Sequence, residues 1–367
     1  IGKKIDALEI EIIDLAGENF NLNSSQQLAV ILFDKLQLPM VKKRSTAEAV
    51  LKELKQKHPL PELILNYRKL YKLKNTYLDP LPSNIVPVTD RVHSSFNQTM
   101  TATGRLSTSN PNFQNIPIRT EDGKEIRKAI KAQSNDYQIF SADYSQVELR
   151  VMAHLSGDES LIAALNNGED IHTFTAKNIF NVEDDDQVLP EMRRIAKIVN
   201  FGIMYGAGPF RLSQELDVPF GEAKKIKDAY FDKYKGIEQY IENSKIQIKD
   251  SKSVETLLGR KRAVWDSDSQ NKIRRDAAER MAINMPIQGT AAEMIKLAMI
   301  KIHRKLKSEK LKSKLIMQIH DELLLEVHKD EVDYITKIVI DYMRDAMKLD
   351  VPIEIDFGIG PSWYEAH

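Results

Sequence analysis

There is no cysteine in this sequence, so neither a disulfide framework nor a thiolate metal site is open to it. There is no excess of either charge: Lys+Arg and Asp+Glu both number 53, for a net charge of zero. That excludes attraction of nucleic acid by an overall basic field, so any such contact must rest on local basic faces. No uninterrupted apolar stretch has the length of a membrane span. Nothing at the start reads as a signal peptide, and the chain reads as beginning inside a longer protein. Internal repeats and low-complexity tracts are also missing. What is there is a hydrophobic content of 42%, which supports a folded protein. At 367 residues the chain is long for one compact core, so two or three subdomains are expected.

The stretch Leu315-Ile316-Met317-Gln318-Ile319-His320-Asp321-Glu322-Leu323 sets two adjacent carboxylates between two short apolar runs, residues 315–319 and 323–327. Both runs are strand-like, and together they predict a β-hairpin with His-Asp-Glu at its tip. A charge near such apolar surroundings is costly without a partner. A divalent metal is one partner; a solvated acidic turn would give the same pattern.

A second acidic segment, residues 139–150, begins as a strand and ends as a helix. Asp143 falls at the strand end, where α/β proteins commonly place ligands. Ser145-x-x-Glu148 fits a capping box at the helix start, a structural role that leaves a functional one open. Aspartates from two strands could converge on two Mg²⁺ ions and support phosphoryl transfer. The third signal is a helix over residues 192–206. Arg193, Lys197, Phe201 and Tyr205 are spaced four apart and share one broad face. Two cations suit a polyphosphate and two rings suit a base. Core aromatics beside a solvated basic edge would look alike. Asp184-Asp185-Asp186 reads as a solvated turn.

Taken together, these stretches resemble family A DNA polymerases of bacterial type. Asp143-Tyr144-Ser145-Gln146-Val147-Glu148 resembles the family's first palm motif, residues 193–206 its fingers motif, and Gln318-Ile319-His320-Asp321-Glu322 its second palm motif. Thr103-Gly104-Arg105-Leu106-Ser107, Asn112-Phe113-Gln114-Asn115-Ile116-Pro117 and Asn284-Met285-Pro286-Ile287-Gln288-Gly289-Thr290 agree, in the family's order, over nearly the whole chain.

The resemblance implies an α+β fold of right-hand architecture, with a helical thumb, an antiparallel-sheet palm and helical fingers. The thumb would span residues 1–85, ending where Pro80-Leu81-Pro82 breaks the helical pattern. The palm would take 86–155 and 275–367, and the fingers 156–274, with breaks at Gly168, Pro190 and residues 206–209. Two seams depart from the family: the start is abrupt, and residues 42–46 lack several polar residues of a thumb tip. They imply a short thumb or omitted segments near 2–3 and 44–45. Ala263-Val264-Trp265 also stands where relatives often have Tyr and Pro, which leaves that loop without an assigned role.

The resemblance further implies template-directed DNA synthesis by two-metal nucleotidyl transfer, in repair and replication. Asp143, Asp321 and the Tyr144 carbonyl would ligate two Mg²⁺ ions, with Mn²⁺ as a substitute, and Glu322 would lie near them. Arg193, Lys197 and His172 would hold the triphosphate, with Lys197 as proton donor to pyrophosphate. Phe201 would pack on the sugar and base, Tyr205 would occupy the template-side stacking position, and Gln146 belongs to the same nucleotide site. Glu148 would exclude a ribose 2′-OH. Arg105 and Gln288 would read the minor groove of the primer-terminal pair. Asn112, Gln114, Asn115, Arg280, Asn284 and His320 would support primer and template. The implied partners are primer–template DNA and deoxynucleoside triphosphates, with no membrane, for a cytoplasmic monomer. Against this stand an RNA polymerase or reverse transcriptase, a metal-dependent nuclease, and a catalytically inactive DNA-binding relative. Glu148 with the Gln-x-His-Asp-Glu hairpin, the 193–205 face, and retention of both aspartates argue against each in turn.

Overall fold

The computed structural model describes residues 1–116 and 121–367. Pro117 of the Asn112–Pro117 stretch lies outside the described residues. The chain divides into two units, Ile1–Ser95 with Thr108–Ala129, and Phe96–Ser107 with Ile130–His367.

The first unit is mostly helical. Its opening helix α1 (Gly2–Ala16) buries Ile5, Ile12 and Ala16 on one face, and α2 (Leu60–Leu73) buries Leu60, Ile64, Tyr67 and Leu70. These spacings are the three- and four-residue steps of an apolar helix stripe, and the two helices pack on each other. Helical structure continues through Lys74–Leu78 and Pro80–Ser83, so Pro80-Leu81-Pro82 does not break it where the sequence suggested. Pro80 sits at the first position of its turn, where a missing N–H costs nothing.

The second unit is built on a four-stranded antiparallel sheet. Its strands are β1 (Tyr137–Tyr144), β4 (Lys314–Ile319), β5 (Glu322–His328) and β6 (Ile355–Gly360), in the order β6-β1-β5-β4. Strand alternation decides what each face carries. Phe140, Ala142 and Tyr144 of β1, with Leu323, Leu325 and Val327 of β5, point into the main core, where Val339 and Met343 of α9 (Val332–Arg344) meet them. Ser141, Asp143 and Glu322 are left for the opposite face.

Between β1 and the hairpin run the helices α3 (Val147–Ser156), α4 (Ile171–Phe180), α5 (Pro190–Met204), α6 (Phe220–Lys233) and α7 (Lys235–Ser251). A small hairpin, β2 (Ser253–Glu255) and β3 (Lys261–Ala263), follows them. The breaks fall as the sequence predicted: Gly168 and Gly206 adopt positive φ, and Pro190 opens α5. Residues 184–186 are exposed, with Asp185 paired to Lys177, in keeping with a solvated turn.

The helix α8 (Lys272–Ser308) is 37 residues long and runs through Pro286 and Gly289. A Cβ at Gly289 would lie 3.2 Å from the Thr103 carbonyl oxygen and 2.5 Å from a Thr256 methyl, so only glycine permits the close packing there. Lys296 Nζ donates to the Gly104 carbonyl at 2.8 Å, fixing the loop that carries Arg105 to the same helix.

Candidate active site

The hairpin forms as predicted, with His320 at φ 53° in its two-residue turn. The register of the sheet then does what local sequence could not. Asp143 is paired with Glu322 on one side and with Asp356 on the other. Like charges directly opposite each other repel, and each carboxylate answers the repulsion differently. Burial pushes the Glu322 carboxyl up, but donors outweigh it and hold it below the usual range. Ser141 Oγ donates to its Oε1 at 2.6 Å and Trp363 Nε1 at 2.8 Å, with His367 Nδ1 at 3.5 Å. Glu322 is thus the first residue of a strand, buried and engaged, rather than the tip of the turn.

Asp143 has less relief, with only a backbone hydrogen bond at Tyr144 to lower it. Its Oδ1 is buried without a hydrogen-bond partner. Burial first, then the charges of Asp321, Glu322 and Asp356, raise its carboxyl well above the ordinary range. Asp321 is raised too, chiefly by burial, against the opposing pull of Arg105 and His320. The Asp321 carbonyl accepts the Tyr144 N–H at 3.2 Å, which ties the turn to the end of β1. An orphaned carboxylate oxygen beside a second strained carboxylate fits a divalent cation. Among the described residues no three His, Asp or Glu side chains are arranged to hold one ion together. Two carboxylates and a carbonyl suit Mg²⁺, which takes one or two protein carboxylates and completes its octahedron with water and phosphate oxygens.

A stability test follows from this strain. A carboxyl whose folded pKa is raised contributes most below its unfolded pKa of about 3.9, and the contribution is lost as pH rises through the folded value. Asp143→Asn is therefore expected to melt about 2 °C above wild type at about pH 8 in chelator, the shift given by about 1 kcal/mol. The gap should close near pH 4. Calorimetry on both proteins checks it; equal melting at the higher pH would mean that Asp143 is not strained.

Glu148 does not cap a helix. The first helical residue is Val147, and the N-cap is Gln146 in a left-handed conformation with no side-chain hydrogen bond. The Ser145 N–H donates instead to the Glu354 carbonyl at 2.9 Å, so the capping box of the sequence reading is not formed. The Glu148 carboxylate is 8% exposed and held from both sides. Arg105 pairs with its Oε1, and Tyr205 Oη donates to its Oε2 at 2.5 Å. Burial and the Glu148 charge both push the Tyr205 hydroxyl up, so it stays a donor.

The helix α5 is graded along its length. Arg193 and Lys197 are exposed, whereas Phe201 and Tyr205 are half-buried, with ring centroids 6.3 Å apart and stacked. Arg193 donates twice to Asp170, at 2.7 and 3.1 Å, and Lys197 makes no ion pair among the described residues. His172 lies against Phe201, with centroids 5.7 Å apart, and its Nδ1 is 3.1 Å from Asn200 Nδ2. Burial, with Arg193 and Lys197 nearby, lowers its pKa to about 4. It is therefore a neutral, buried ring near pH 7 rather than a third exposed cation.

Arg280, Asn284 and Gln288 recur every fourth residue along α8 and are all half-buried, and Asn284 Oδ1 has no partner. His320 is exposed. Asn112, Gln114 and Asn115 belong to the first unit. There Asn112 Oδ1 accepts from Thr108 Oγ1 at 2.9 Å and from the Gln114 N–H at 3.1 Å. A cleft of about 330 Å³ lies among Ile203, Gly206, Phe231, Glu279 and Arg280, apart from the carboxylates.

Sequence reading missed Asp170, Asp356, Trp363 and His367. Asp170 carried a helix-start signal, since an Asp precedes the Ile171 helix and its Oδ1 accepts the Thr173 N–H at 2.7 Å. Asp356 carried only strand alternation, and its importance depends on a pairing across more than two hundred residues.

A helix-rich chain around a small antiparallel sheet that carries paired carboxylates is in keeping with the right-hand fold that the resemblance implies. The chain belongs to DNA polymerase family A, whose model matches residues 1–365. It is 47% identical to DNA polymerase I of Bacillus subtilis over 370 residues, covering 100% of this chain and 42% of that protein. It is also 47% identical to the thermostable DNA polymerase I of Thermus aquaticus over 372 residues, covering 100% of this chain and 44% of that one. The chain thus spans less than half the length of these curated relatives. Among solved structures, the POL domain of Pol1 from M. smegmatis in complex with DNA primer-template and dNTP matches with a TM-score of 0.94 and 40% identity. That match covers 100% of this chain and 65% of that one. No helix among the described residues is long and apolar enough to cross a membrane.

Proposed function

We propose that this chain carries out template-directed DNA synthesis, joining deoxynucleotides to a primer 3′-OH and releasing pyrophosphate, in DNA repair and replication. The observation that carries the reading is the strained, buried pair Asp143 and Asp321 within electrostatic reach of Arg105 and Glu148. Family membership and the solved relative's complex with primer-template and dNTP support it. The proposed partners are accordingly primer–template DNA and deoxynucleoside triphosphates, and the working form is a monomer. Residues 1–85 are proposed as the thumb, 86–155 and 275–367 as the palm and 156–274 as the fingers.

Asp143, Asp321 and the Tyr144 carbonyl are the proposed ligands of two Mg²⁺ ions, for which Mn²⁺ would substitute. Bound there, the ions would supply Lewis-acid activation of the 3′-OH and neutralise the departing pyrophosphate. The residues do the rest. Arg193 and Lys197 bind the triphosphate oxygens by charge-assisted hydrogen bonds. Lys197, as a free ammonium, donates a proton to the leaving group. The neutral His172 offers a single N–H to the same phosphates, and Gln146 lines the nucleotide site. Phe201 packs on sugar and base, and Tyr205 fills the template-side position until a nucleotide enters. Arg105 and Gln288 donate to the minor-groove acceptors of the terminal pair. Arg280, Asn284, Asn112, Gln114, Asn115 and His320 hold the strands. Glu322, engaged by Ser141 and Trp363, keeps the hairpin in register.

Primer extension with Mg²⁺ and either deoxynucleotides or ribonucleotides tests the reading. Extension with deoxynucleotides supports it; tight DNA binding without extension would favour an inactive DNA-binding relative. Glu148 gives the assay a second arm. Glu148→Ala removes the carboxylate proposed to stand against the 2′-OH, so ribonucleotide incorporation should rise at least tenfold relative to deoxynucleotide. Ordinary synthesis should slow as well, because Arg105 and Tyr205 lose their shared acceptor. Unchanged sugar discrimination would leave Glu148 as a tether for those two residues alone.

A further inference from the structure

The loop between β3 and α8 is a feature that the proposed chemistry does not use. Val264 and Trp265 are neighbours with opposite fates. Val264 is 2% exposed in a small core with Ile248, Val254, Ala278, Ala282 and Met285, whereas Trp265 is 76% exposed. The packing of Val264 among Ala278 and Ala282 fixes Trp265 beside the first turns of α8. Ser267 and Ser269 hold the loop in place: Ser267 Oγ donates to the Ile248 carbonyl at 2.9 Å, and Arg275 Nη1 donates to the Ser269 carbonyl at 2.9 Å. The indole is thus presented by a well-braced turn.

Its surroundings are basic in a chain of zero net charge. Residues 260–275 contain six Lys or Arg, at 260, 261, 262, 272, 274 and 275, against Asp266 and Asp268. Arg260 is paired with Glu293, Lys261 with Glu255 and Lys272 with Asp276, which leaves Arg262, Arg274 and Arg275 without an ion pair among the described residues. Asp268 is itself neutralised by Lys252 at 2.8 Å. Arg274 is exposed and makes no ion pair among the described residues. An exposed ring beside cations is the combination that binds single-stranded nucleic acid, the ring stacking on a base and the cations meeting the backbone.

On a primer–template the unpaired strand is the template beyond the primer end, and the position along α8 gives its distance from the insertion site. Ile273 lies eleven residues before Asn284, about 16 Å along the axis at 1.5 Å per residue. That is several nucleotides from the residues proposed to hold the template at the insertion site, at about 3.4 Å per stacked nucleotide. We propose that Trp265, with the exposed Arg274, forms a stacking platform for the unpaired template strand several nucleotides ahead of the insertion site. This inference rests on the polymerase reading.

The chain has two tryptophans, and the other, Trp363, is 0% exposed, so added quencher reports on Trp265. Primer-templates with a one-nucleotide and with an eight-nucleotide 5′ overhang are compared by iodide quenching and by affinity. The long overhang should shield Trp265 and bind at least about fivefold more tightly. Trp265→Ala should bind the long overhang no better than the short one, and Trp265→Phe should restore much of the difference. Equal shielding by both DNAs, or by blunt duplex, overturns the platform. The fluorescence does not need turnover, so failure of wild-type extension on both DNAs would instead sink the polymerase reading.

Discussion

Replacing Asp143 or Asp321 with Ala is expected to slow primer extension by three orders of magnitude or more, on the order of 4 kcal/mol in activation free energy. Primer–template affinity should change only a few-fold, because on the proposed function DNA binding would rest on many phosphate contacts instead of two carboxylates. The structure makes loss of folding a poor alternative explanation. Asp143 is crowded by Asp321, Glu322 and Asp356, so removing one of the two carboxylates relieves repulsion instead of creating it. Glu322→Gln should behave differently. Its carboxylate is already engaged by Ser141, Trp363 and His367, so the variant should lose stability before it loses chemistry. Rapid-quench extension rates set beside DNA affinities and melting temperatures check all of this. Either alanine variant extending primers at near wild-type rate would remove the two-carboxylate assignment.

Arg193→Ala and Lys197→Ala are expected to produce the next largest losses. A charge-assisted hydrogen bond is worth about 1.5–3 kcal/mol, so each should lower kcat/KM for the nucleotide by roughly ten- to hundredfold. The structure separates the two. Arg193 must exchange its Asp170 carboxylate for phosphate, whereas Lys197 has no ion pair to give up among the described residues. Asp170→Asn, which weakens the competitor, should therefore lower KM rather than kcat. Burial pushes Asp170 up, but the Arg193 and Thr173 hydrogen bonds prevail and bring it to about 2. A lowered carboxyl stabilises above its unfolded pKa and loses that contribution as pH falls through the folded one. The Arg193–Asp170 pair thus contributes in full above about pH 4 and is lost only as pH falls towards about 2. His172, lowered to about 4, stays uncharged over the same range. A change in the Arg193 effect between about pH 6 and 8 would contradict both statements. Steady-state kinetics across that range, with wild type and the three variants, decides the matter.

How much of this was legible beforehand depends on the range over which each feature is encoded. The hairpin, the strand-then-helix order of residues 139–150 and the four-residue spacing from Arg193 to Tyr205 are written within a dozen residues, and they formed as read, except that Glu322 opens a strand instead of sitting in the turn. Readings that needed a partner from elsewhere fared less well. Ser145 and Glu148 have capping-box spacing, but the Ser145 N–H is taken by the carbonyl of Glu354, just before β6, so the helix starts later. Pro80 looked like a stop because a proline inside a helix is costly, yet the chain restarts its turn at that residue.

The sequence by itself determined the periodicities: the alternation that sends Phe140 and Ala142 one way and Asp143 the other, and the stripe that aligns cations with rings on α5. It also excluded thiolate ligands, since there is no cysteine. Only the tertiary structure decided which carboxylates face one another. Register across β6, β1 and β5 sets Asp356 and Glu322 beside Asp143, and it gives donors to Glu322 while leaving Asp143 Oδ1 without one. It likewise decided that His172 is buried and neutral and that Trp265 stands in solvent while Val264 does not. The physical reason is common to all of these. Secondary structure follows from short-range backbone geometry, whereas burial and charge are set by neighbours that folding brings from far along the chain.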